Sequence, residues 1–284
     1  MEPKWALPVL VVVTAFLRCL TFVHSLPQRS LDRARLAAFS ASASIPESFF
    51  DSWDAFHLEQ VGRVNALTQV ALPEEHQFQI GELMPGNSFT YRCRAYSSEK
   101  IRFARTVTFV GNGFNVFNLL IIPRHEFRLP LFGVDIVYLP KHHVVAIDFQ
   151  PQSDSPEYCR MEAYTDHVDV LAKWRSEYSH STLPPAVSRY FSPYAVWHRA
   201  PHSNFDEMQR YGDCFRDYLV CYCEALSKAK YSPSVDVERQ FQREYLEYRI
   251  REDPAKNILD RCFGEKWTHE ALTKYFFPVL EDQQ

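Results

Sequence analysis

The sequence has only eight glycines in 284 residues. They do not form a G-x-G-x-x-G segment or another glycine-rich loop that would hold a phosphate group at a helix N-terminus. The G-x-S-x-G motif of serine hydrolases and the H-E-x-x-H motif of zinc proteases are also missing. The sequence therefore gives no support for a flavin or nicotinamide site, nor for these two classes of hydrolase.

Cysteine is present but never as a C-x-x-C pair. Six of the seven cysteines follow residue 44, and no histidine accompanies them at the spacing of a zinc site. Cys221 and Cys223 lie two residues apart in a helical pattern and point in different directions, so we expect packed, free thiols. His142 and His143 fall at a predicted hairpin turn, where we expect exposure to solvent, and we predict no metal site.

Long hydrophobic runs are missing as well. The apolar segment 5–17 is shorter than the ~20 residues that span a bilayer, and Lys4 before it and small residues after it give the layout of a signal peptide over residues 1–25. Residues 26–44 are rich in Arg, Ser and Ala, which is typical of a transit peptide. We expect a bipartite leader to a plastid stroma and one folded domain over residues 45–284. A signal anchor with a disordered linker is the alternative.

Basic residues do not predominate beyond this leader. Residues 1–44 hold five of the 31 basic and two of the 35 acidic residues, so the formal net charge of the remainder is about −7, against −4 for the whole chain. Binding of nucleic acid requires a basic face. We therefore expect no nucleic-acid partner, and an acidic protein partner would need a local basic patch.

The hydrophobic patterns predict one helix, then a sheet, then more helices. Residues 49–67 have apolar residues at helical spacing. Alternating segments separated by turn residues predict antiparallel strands over residues 76–96, 101–110, 114–123 and 128–151. Beyond residue 157 the period changes to that of a helix, with helices expected over residues 158–178, 204–230, 235–251 and 254–275. This order predicts an α+β fold, a three-layer α/β/α sandwich with a central antiparallel sheet.

Asp135 interrupts the apolar strand 131-LFGVDIVYL-139. The neighbouring residues are apolar at both odd and even positions, and these positions point to opposite faces of a strand. This pattern predicts a strand that is covered on both faces. An unpaired carboxylate is costly to bury there, so Asp135 must be paired, line a cavity, or be protonated with a raised pKa. The last two are properties of a proton donor. A carboxylate on a solvent-exposed face is the alternative.

Three further polar residues are candidates for a site. Asp253 precedes Pro254, a combination typical of a helix N-cap followed by a first-turn proline, and such a carboxylate can also face a pocket. Asn118 lies in an apolar strand, where a buried amide needs a hydrogen-bond partner, either within the core or in a ligand. Arg199, close to Trp197, could bind a carboxylate with two hydrogen bonds or stack on the surface.

Four segments, in this order, resemble the ferredoxin-dependent bilin reductases: 129-LPLFGVDIV-137, 147-IDFQP-151, 191-FSPYAVW-197 and 253-DPAKNILDRCFGEKW-267. The resemblance extends over essentially the whole predicted folded domain. It implies an open-chain tetrapyrrole between the sheet and the C-terminal helices. It also implies that the protein binds no flavin or metal and receives single electrons from reduced 2Fe–2S ferredoxin.

The resemblance also implies roles for the candidate residues. Asp135 and Asp253 match the two aspartates that donate protons in the family. The residues expected to bind the bilin are Asn118, Phe132, Trp197 and Arg199, the last as a clamp for a propionate group.

The branch of the family is suggested by fewer residues. Asn118 and Thr106 stand where the phycocyanobilin-forming branch has histidine and glutamate, which argues against that branch. Residues 97–105 and 191–201 are most similar to the branch that reduces the A-ring diene of 15,16-dihydrobiliverdin to phycoerythrobilin. The alternatives are reduction of biliverdin to 15,16-dihydrobiliverdin, formation of phytochromobilin, or a non-catalytic bilin carrier. We expect a monomer that binds no membrane, with ferredoxin, a bilin and an upstream bilin reductase as its partners.

Overall fold

The computed structural model describes residues 49–84, 86–111, 114–139, 142–178, 182–183, 185–201, 205–233 and 236–279. Both predicted leader segments, residues 1–25 and 26–44, lie outside these ranges. Within the ranges, every helix is too short or too polar to cross a membrane.

Eight strands form one antiparallel sheet in this part of the chain. They are β1 (Thr68–Val70), β2 (Phe78–Met84), β3 (Asn87–Ser97), β4 (Ile101–Gly111), β5 (Phe114–Pro123), β6 (Leu131–Tyr138), β7 (His142–Gln150) and β8 (Val196–Pro201). The spatial order is β1-β3-β4-β5-β6-β7-β8, and β2 also pairs with β3. Strands β3 to β7 are consecutive neighbours joined by short connections, as alternating patterns separated by turn residues predict. Strand β8 joins β7 only after a helical excursion.

Helices cover both faces of the sheet. They are α1 (Phe49–Val64), α2 (Glu74–Gln77), α3 (Glu162–Thr165), α4 (Val168–Tyr178), α5 (Pro185–Ser188), α6 (Phe205–Lys228), α7 (Asp236–Glu252), α8 (Lys256–Phe263) and α9 (Glu265–Glu270), and a π-helical turn follows at Ala271–Phe276. One core contains residues of α1, α4 and α6, and the other contains residues of α7, α8 and the π-helical turn. The structure confirms the predicted α+β fold with its central antiparallel sheet.

Helix α6 shows how the sequence forms these layers. Its buried residues are spaced by three and four positions, which puts them in one stripe against the sheet: Met208, Tyr211, Phe215, Tyr218 and Tyr222. The predicted helix over 254–275 is divided instead, because Gly264 has a φ of 88° and ends α8. The six described cysteines are free, in agreement with the expectation of unpaired thiols.

The alternation of side chains along each strand decides which helical layer a residue reaches. On β6, Phe132, Val134 and Ile136 belong to the core under α6. Leu131 belongs to the core under α7, and Asp135 has the same parity. We call these two sides of the sheet the α6 face and the α7 face.

Candidate active site

Residues from five strands form one row across the α7 face of the sheet. The register pairs Val107 with Asn118, Asn118 with Asp135, Asp135 with Ala146, and Ala146 with Trp197. Directly paired residues of antiparallel strands project from the same face. Three of the residues that the sequence analysis singled out in separate segments therefore lie side by side.

This row crosses a part of the α7 face that helices leave partly open. On β6 and β7, the side chains that point to the α6 face are buried, whereas alternate positions on the α7 face remain partly exposed: Gly133, Asp135, Val137, Val144 and Ala146. We call this area, together with Asn118 and Trp197, the open strip. The Asp135 strand is therefore fully covered on the α6 face but only partly covered on the α7 face, so the prediction of cover on both faces holds in part. A long, partly exposed strip in the middle of a sheet is suited to a flat ligand.

Asp135 has the electrostatic character of an acid. Removal of water by the surrounding protein raises its pKa, and the negative charge of Asp253 acts in the same direction. Arg249, Asn118 and Arg105 act in the opposite direction, by charge or by hydrogen bonding. The balance favours a carboxyl group that keeps its proton to a higher pH than an exposed aspartate does.

Asp253 lies between α7 and α8, and protein groups bind both of its oxygens. Oδ1 accepts a hydrogen bond from the backbone N–H of Ala255 at 2.9 Å, which is the bond of an Asx turn. The N-cap of α8 is Ala255, so the predicted N-cap role of Asp253 is wrong. Oδ2 accepts one from Arg249 Nη2 at 3.0 Å. The structure thus brings Asp253 near Asp135, but as one half of an ion pair.

Arg105 was missed in the sequence analysis, although it belongs to the same face. It lies on β4, its side chain is only 2% exposed, and it donates hydrogen bonds to Asn118 Oδ1 and to Phe276 O. Its guanidinium group also lies over the rings of Phe276 and Phe277. The signal that could have found it is its parity, because it alternates with the apolar residues Phe103 and Val107 on one face of the strand.

Asp148 is a buried carboxylate that was also missed, although the motif 147-IDFQP-151 contains it. It lies on β7 opposite Gly133 and accepts hydrogen bonds from the backbone N–H and the hydroxyl of Ser192. Burial raises its pKa to about 7. Asp148 ties the segment before β8 to the sheet, and β8 positions Trp197.

Trp197 and Arg199 are two residues apart on β8, and both lie on its α7 face. Trp197 is partly exposed, and its ring contacts that of Phe191 with the centroids 6.1 Å apart. Arg199 is exposed and pairs with Val144, two positions along from Trp197. Both residues border the open strip, so their binding roles stay predictions that the geometry permits.

Phe132 does not lie in this site. It projects to the α6 face, is fully buried, and stacks on Tyr222 with the ring centroids 5.2 Å apart. This position corrects the expectation that Phe132 binds the bilin. The physical reason is the alternation of a strand, which puts residue 132 on the side of the sheet opposite to Asp135.

The two histidines of the β6–β7 hairpin also differ from expectation. His142 is partly exposed, but His143 is fully buried on the α6 face. With His198 and Glu207, His143 forms a group whose potential metal-binding atoms lie within 4.8 Å of one another. The hydroxyl of Tyr211 is 2.5 Å from His143 Nε2 and 2.7 Å from Glu207 Oε1, so these two atoms are already engaged in hydrogen bonds to Tyr211. The cluster lies on the opposite face from the open strip.

Comparison with known proteins agrees with the motifs. Residues 57–278 match the family model for the ferredoxin-dependent bilin reductases. The phycoerythrobilin:ferredoxin oxidoreductase of Prochlorococcus marinus (strain MIT 9211) is 32% identical over 204 residues, which cover 68% of this chain and 76% of that protein. The protein of the same name from Synechococcus sp. (strain CC9902) is 30% identical over 244 residues, 81% of this chain and 93% of that protein.

A solved structure has the same fold. Phytochromobilin synthase from tomato, in complex with biliverdin, superposes with a TM-score of 0.72. The two chains are 22% identical, and the match covers 80% of this chain and 82% of the tomato protein. At this level of identity the likeness concerns the architecture.

Proposed function

This chain belongs to the ferredoxin-dependent bilin reductase family, and we propose that it reduces the A-ring diene of 15,16-dihydrobiliverdin to phycoerythrobilin. The enzyme is thus an oxidoreductase that uses ferredoxin as its electron donor. Two relatives that cover most of the chain at 30–32% identity are phycoerythrobilin:ferredoxin oxidoreductases, which supports this choice of reaction. The observation that carries the proposal is Asp135, an acid with a raised pKa in the middle of the open strip.

The proposed reaction consumes two electrons and two protons for each bilin. Reduced 2Fe–2S ferredoxin supplies the electrons one at a time, and the protein supplies the protons. Each electron added to the conjugated bilin makes its carbon atoms more basic, so a positioned acid must protonate the radical before the next electron arrives. No flavin or metal is needed in the reductase for these steps.

Asp135 is the proposed donor of the first proton. A flat ligand lying on the sheet over the open strip would have its face against the carboxyl group of Asp135, and the position of Asp135 in that strip supports the proposed role. After donation, the carboxylate gains the hydrogen bond of Asn118 and the positive charge of Arg249. These groups stabilise the anion only once the proton has left, which is the condition for an effective general acid.

Asp253 is the proposed second donor, and its ion pair with Arg249 sets a condition on that role. The carboxylate must take up a proton and loosen its hydrogen bond to Arg249 before it can protonate the bilin. Because Asp253 lies in the connection between α7 and α8 and Asp135 lies on the sheet, the two acids approach the ligand from different elements. Their placement thereby helps to select the double bond that is reduced.

Binding of the bilin is assigned to the border of the open strip. The ring of Trp197 provides an apolar surface, and the guanidinium group of Arg199 is suited to a bidentate contact with a propionate. Asn118 completes the binding surface at the centre of the strip. An upstream bilin reductase that produces 15,16-dihydrobiliverdin is the expected source of the substrate.

We also propose that the protein acts in a plastid. The family model begins at residue 57, so the predicted leader precedes the matched domain. A fusion of residues 1–60 to a fluorescent protein tests this proposal, with a fusion of residues 45–60 alone as the control. Plastid fluorescence of the first fusion only is the expected result, and cytosolic fluorescence of both would contradict it.

Anaerobic turnover tests the reaction directly. The enzyme is supplied with reduced ferredoxin and either biliverdin or 15,16-dihydrobiliverdin, and the products are separated by chromatography. We expect phycoerythrobilin from 15,16-dihydrobiliverdin and little conversion of biliverdin. Conversion of biliverdin to 15,16-dihydrobiliverdin or to phytochromobilin would assign another reaction of the family. A static spectral shift without turnover would indicate a bilin carrier.

A further inference from the structure

Arg105 is buried on the α7 face beside the open strip, where a positively charged side chain is costly to bury. Its Nε donates to the carbonyl oxygen of Phe276 at 3.2 Å, and Nη1 donates to the side-chain and backbone oxygens of Asn118. The rings of Phe276 and Phe277 lie 5.4 Å and 5.3 Å from its guanidinium carbon. The guanidinium group is therefore fixed from several sides, and its hydrogen bonds end at neutral oxygens.

These contacts determine which way the amide of Asn118 points. A guanidinium group has only donors, so the atom of Asn118 that faces Arg105 must be its oxygen. The NH2 group of the same amide then points away from Arg105. On the next strand Asp135 lies directly opposite Asn118, on the side of Asn118 away from the strand of Arg105, and the Asn118 side chain acts to lower the pKa of Asp135. An ionised carboxylate has only acceptors, so it matches this NH2 group.

We propose that Arg105 is a positioning residue, which holds the oxygen of Asn118 so that the NH2 group of that amide faces Asp135. The inverted amide would present its oxygen to Asp135, where it repels the carboxylate and binds only the protonated acid. Arg105 thereby decides whether Asn118 favours or opposes release of the proton from Asp135. The part of this inference that concerns catalysis rests on the proposed function, whereas the orientation of Asn118 does not.

The direct test is titration of Asp135 in the ligand-free protein. Labelling of aspartate with 13C at the side-chain carboxyl carbon gives one carboxyl signal for each residue, and the signal that is lost in Asp135→Asn identifies Asp135. The variant Arg105→Met releases the amide of Asn118 and removes a positive charge. We expect the titration midpoint of Asp135 to rise by about one pH unit or more.

A double-mutant comparison separates orientation from charge. If Arg105 acts through Asn118, then Arg105→Met changes the midpoint much less in an Asn118→Leu background than in the wild type. An equal rise in both backgrounds would show a direct effect of charge and overturn the proposal, and so would the absence of a rise in the wild-type background. Arg94→Met is the matched control. Arg94 lies on β3, next to the strand of Arg105, and its side chain forms an ion pair at 2.6 Å with Asp54 of α1, away from Asn118. This variant should leave the midpoint unchanged.

A second measurement needs no substitution, in case Arg105→Met does not fold. The side-chain NH2 protons of Asn118 in the wild-type protein should show stronger nuclear Overhauser contacts to the β protons of Asp135 than to the guanidinium protons of Arg105. The reverse pattern would overturn the proposal. Neither measurement uses a bilin or ferredoxin, so failure of the proposed reaction would leave this test intact, and a failed test would leave the proposed reaction intact.

Discussion

Arg249 donates a hydrogen bond from Nη2 to Asp253 Oδ2 over 3.0 Å. The charge of the same arginine lowers the pKa of Asp135, the other candidate acid, but desolvation has the larger effect and raises that pKa. The two carboxylates that the family resemblance treats as a pair thus have different surroundings. Asp135 is suited to donate a proton, whereas the contact between Asp253 and Arg249 must open before that carboxyl group can reach a ligand.

Asp135→Asn should stop turnover and preserve binding. The substitution keeps the size and one hydrogen-bonding oxygen but removes the acidic proton, so we expect kcat to fall by about 10²–10⁴-fold. The dissociation constant for the bilin, measured from the visible spectrum, should change little. Accumulation of a radical, detected by electron paramagnetic resonance with reduced ferredoxin, is expected because the first electron can still arrive. Normal turnover would show that Asp135 is structural.

The role of Asp253 in proton donation and the role of its hydrogen bond to Ala255 can be tested separately. Both Asp253→Asn and Asp253→Ala lose the ion pair with Arg249, but only the asparagine keeps an oxygen for the N–H of Ala255. We expect turnover to fall in both variants. Chemical denaturation should show the alanine variant to be less stable than the asparagine variant by about 1 kcal/mol. Equal stability of the two would mean that the hydrogen bond to Ala255 contributes nothing.

Substitution of Phe132 should reduce stability and substitution of Trp197 should reduce bilin binding, since the two residues lie on opposite faces of the sheet. Phe132→Ala leaves a cavity in the core under α6 and should lower the free energy of unfolding by about 3–5 kcal/mol. Its bilin affinity at a temperature where it remains folded should equal that of the wild type. Trp197→Ala should instead weaken bilin binding with a smaller loss of stability. A selective loss of affinity in the Phe132 variant would contradict the assignment of faces.

Asp148 should make stability depend on pH. Its pKa is raised from 3.8 to about 7 in the folded protein, so folding is opposed increasingly as the pH rises from about 4 through 7. Asp148→Asn removes this titration while keeping a partner for Ser192. Relative to the wild type, the variant should gain stability between pH 4 and pH 8, by a few kcal/mol at most. Parallel stability curves over that range would contradict the raised pKa.

Much of the architecture could be predicted from patterns within short segments of the sequence. The alternating segments from residue 76 to 151 predict neighbouring antiparallel strands, because short connections join them and apolar side chains of one parity need a common core. The stripe of Tyr211, Phe215, Tyr218 and Tyr222 predicts α6 in the same way. The break at Gly264 was less visible, since a single glycine within a helical pattern is often tolerated.

The candidate site was predictable only in part. Asp135 and Asn118 draw attention as polar residues in apolar strands, and their direct pairing follows from the hairpin register. Phe132 was assigned to the wrong side because membership of a motif says nothing about strand parity. Arg105 and Asp148 were missed because their partners, Phe276 and Ser192, are distant in the sequence.

The sequence by itself determined the strands, the helical stripes and the family motifs, because each depends on residues within a few positions of one another. Only the tertiary structure decided that the α7 face stays partly open and that Arg105 donates hydrogen bonds to both Asn118 and Phe276. These features arise where the C-terminal helices meet the middle of the sheet. They join residues up to 171 positions apart, and the packing of whole elements, which no local pattern specifies, brings such residues together.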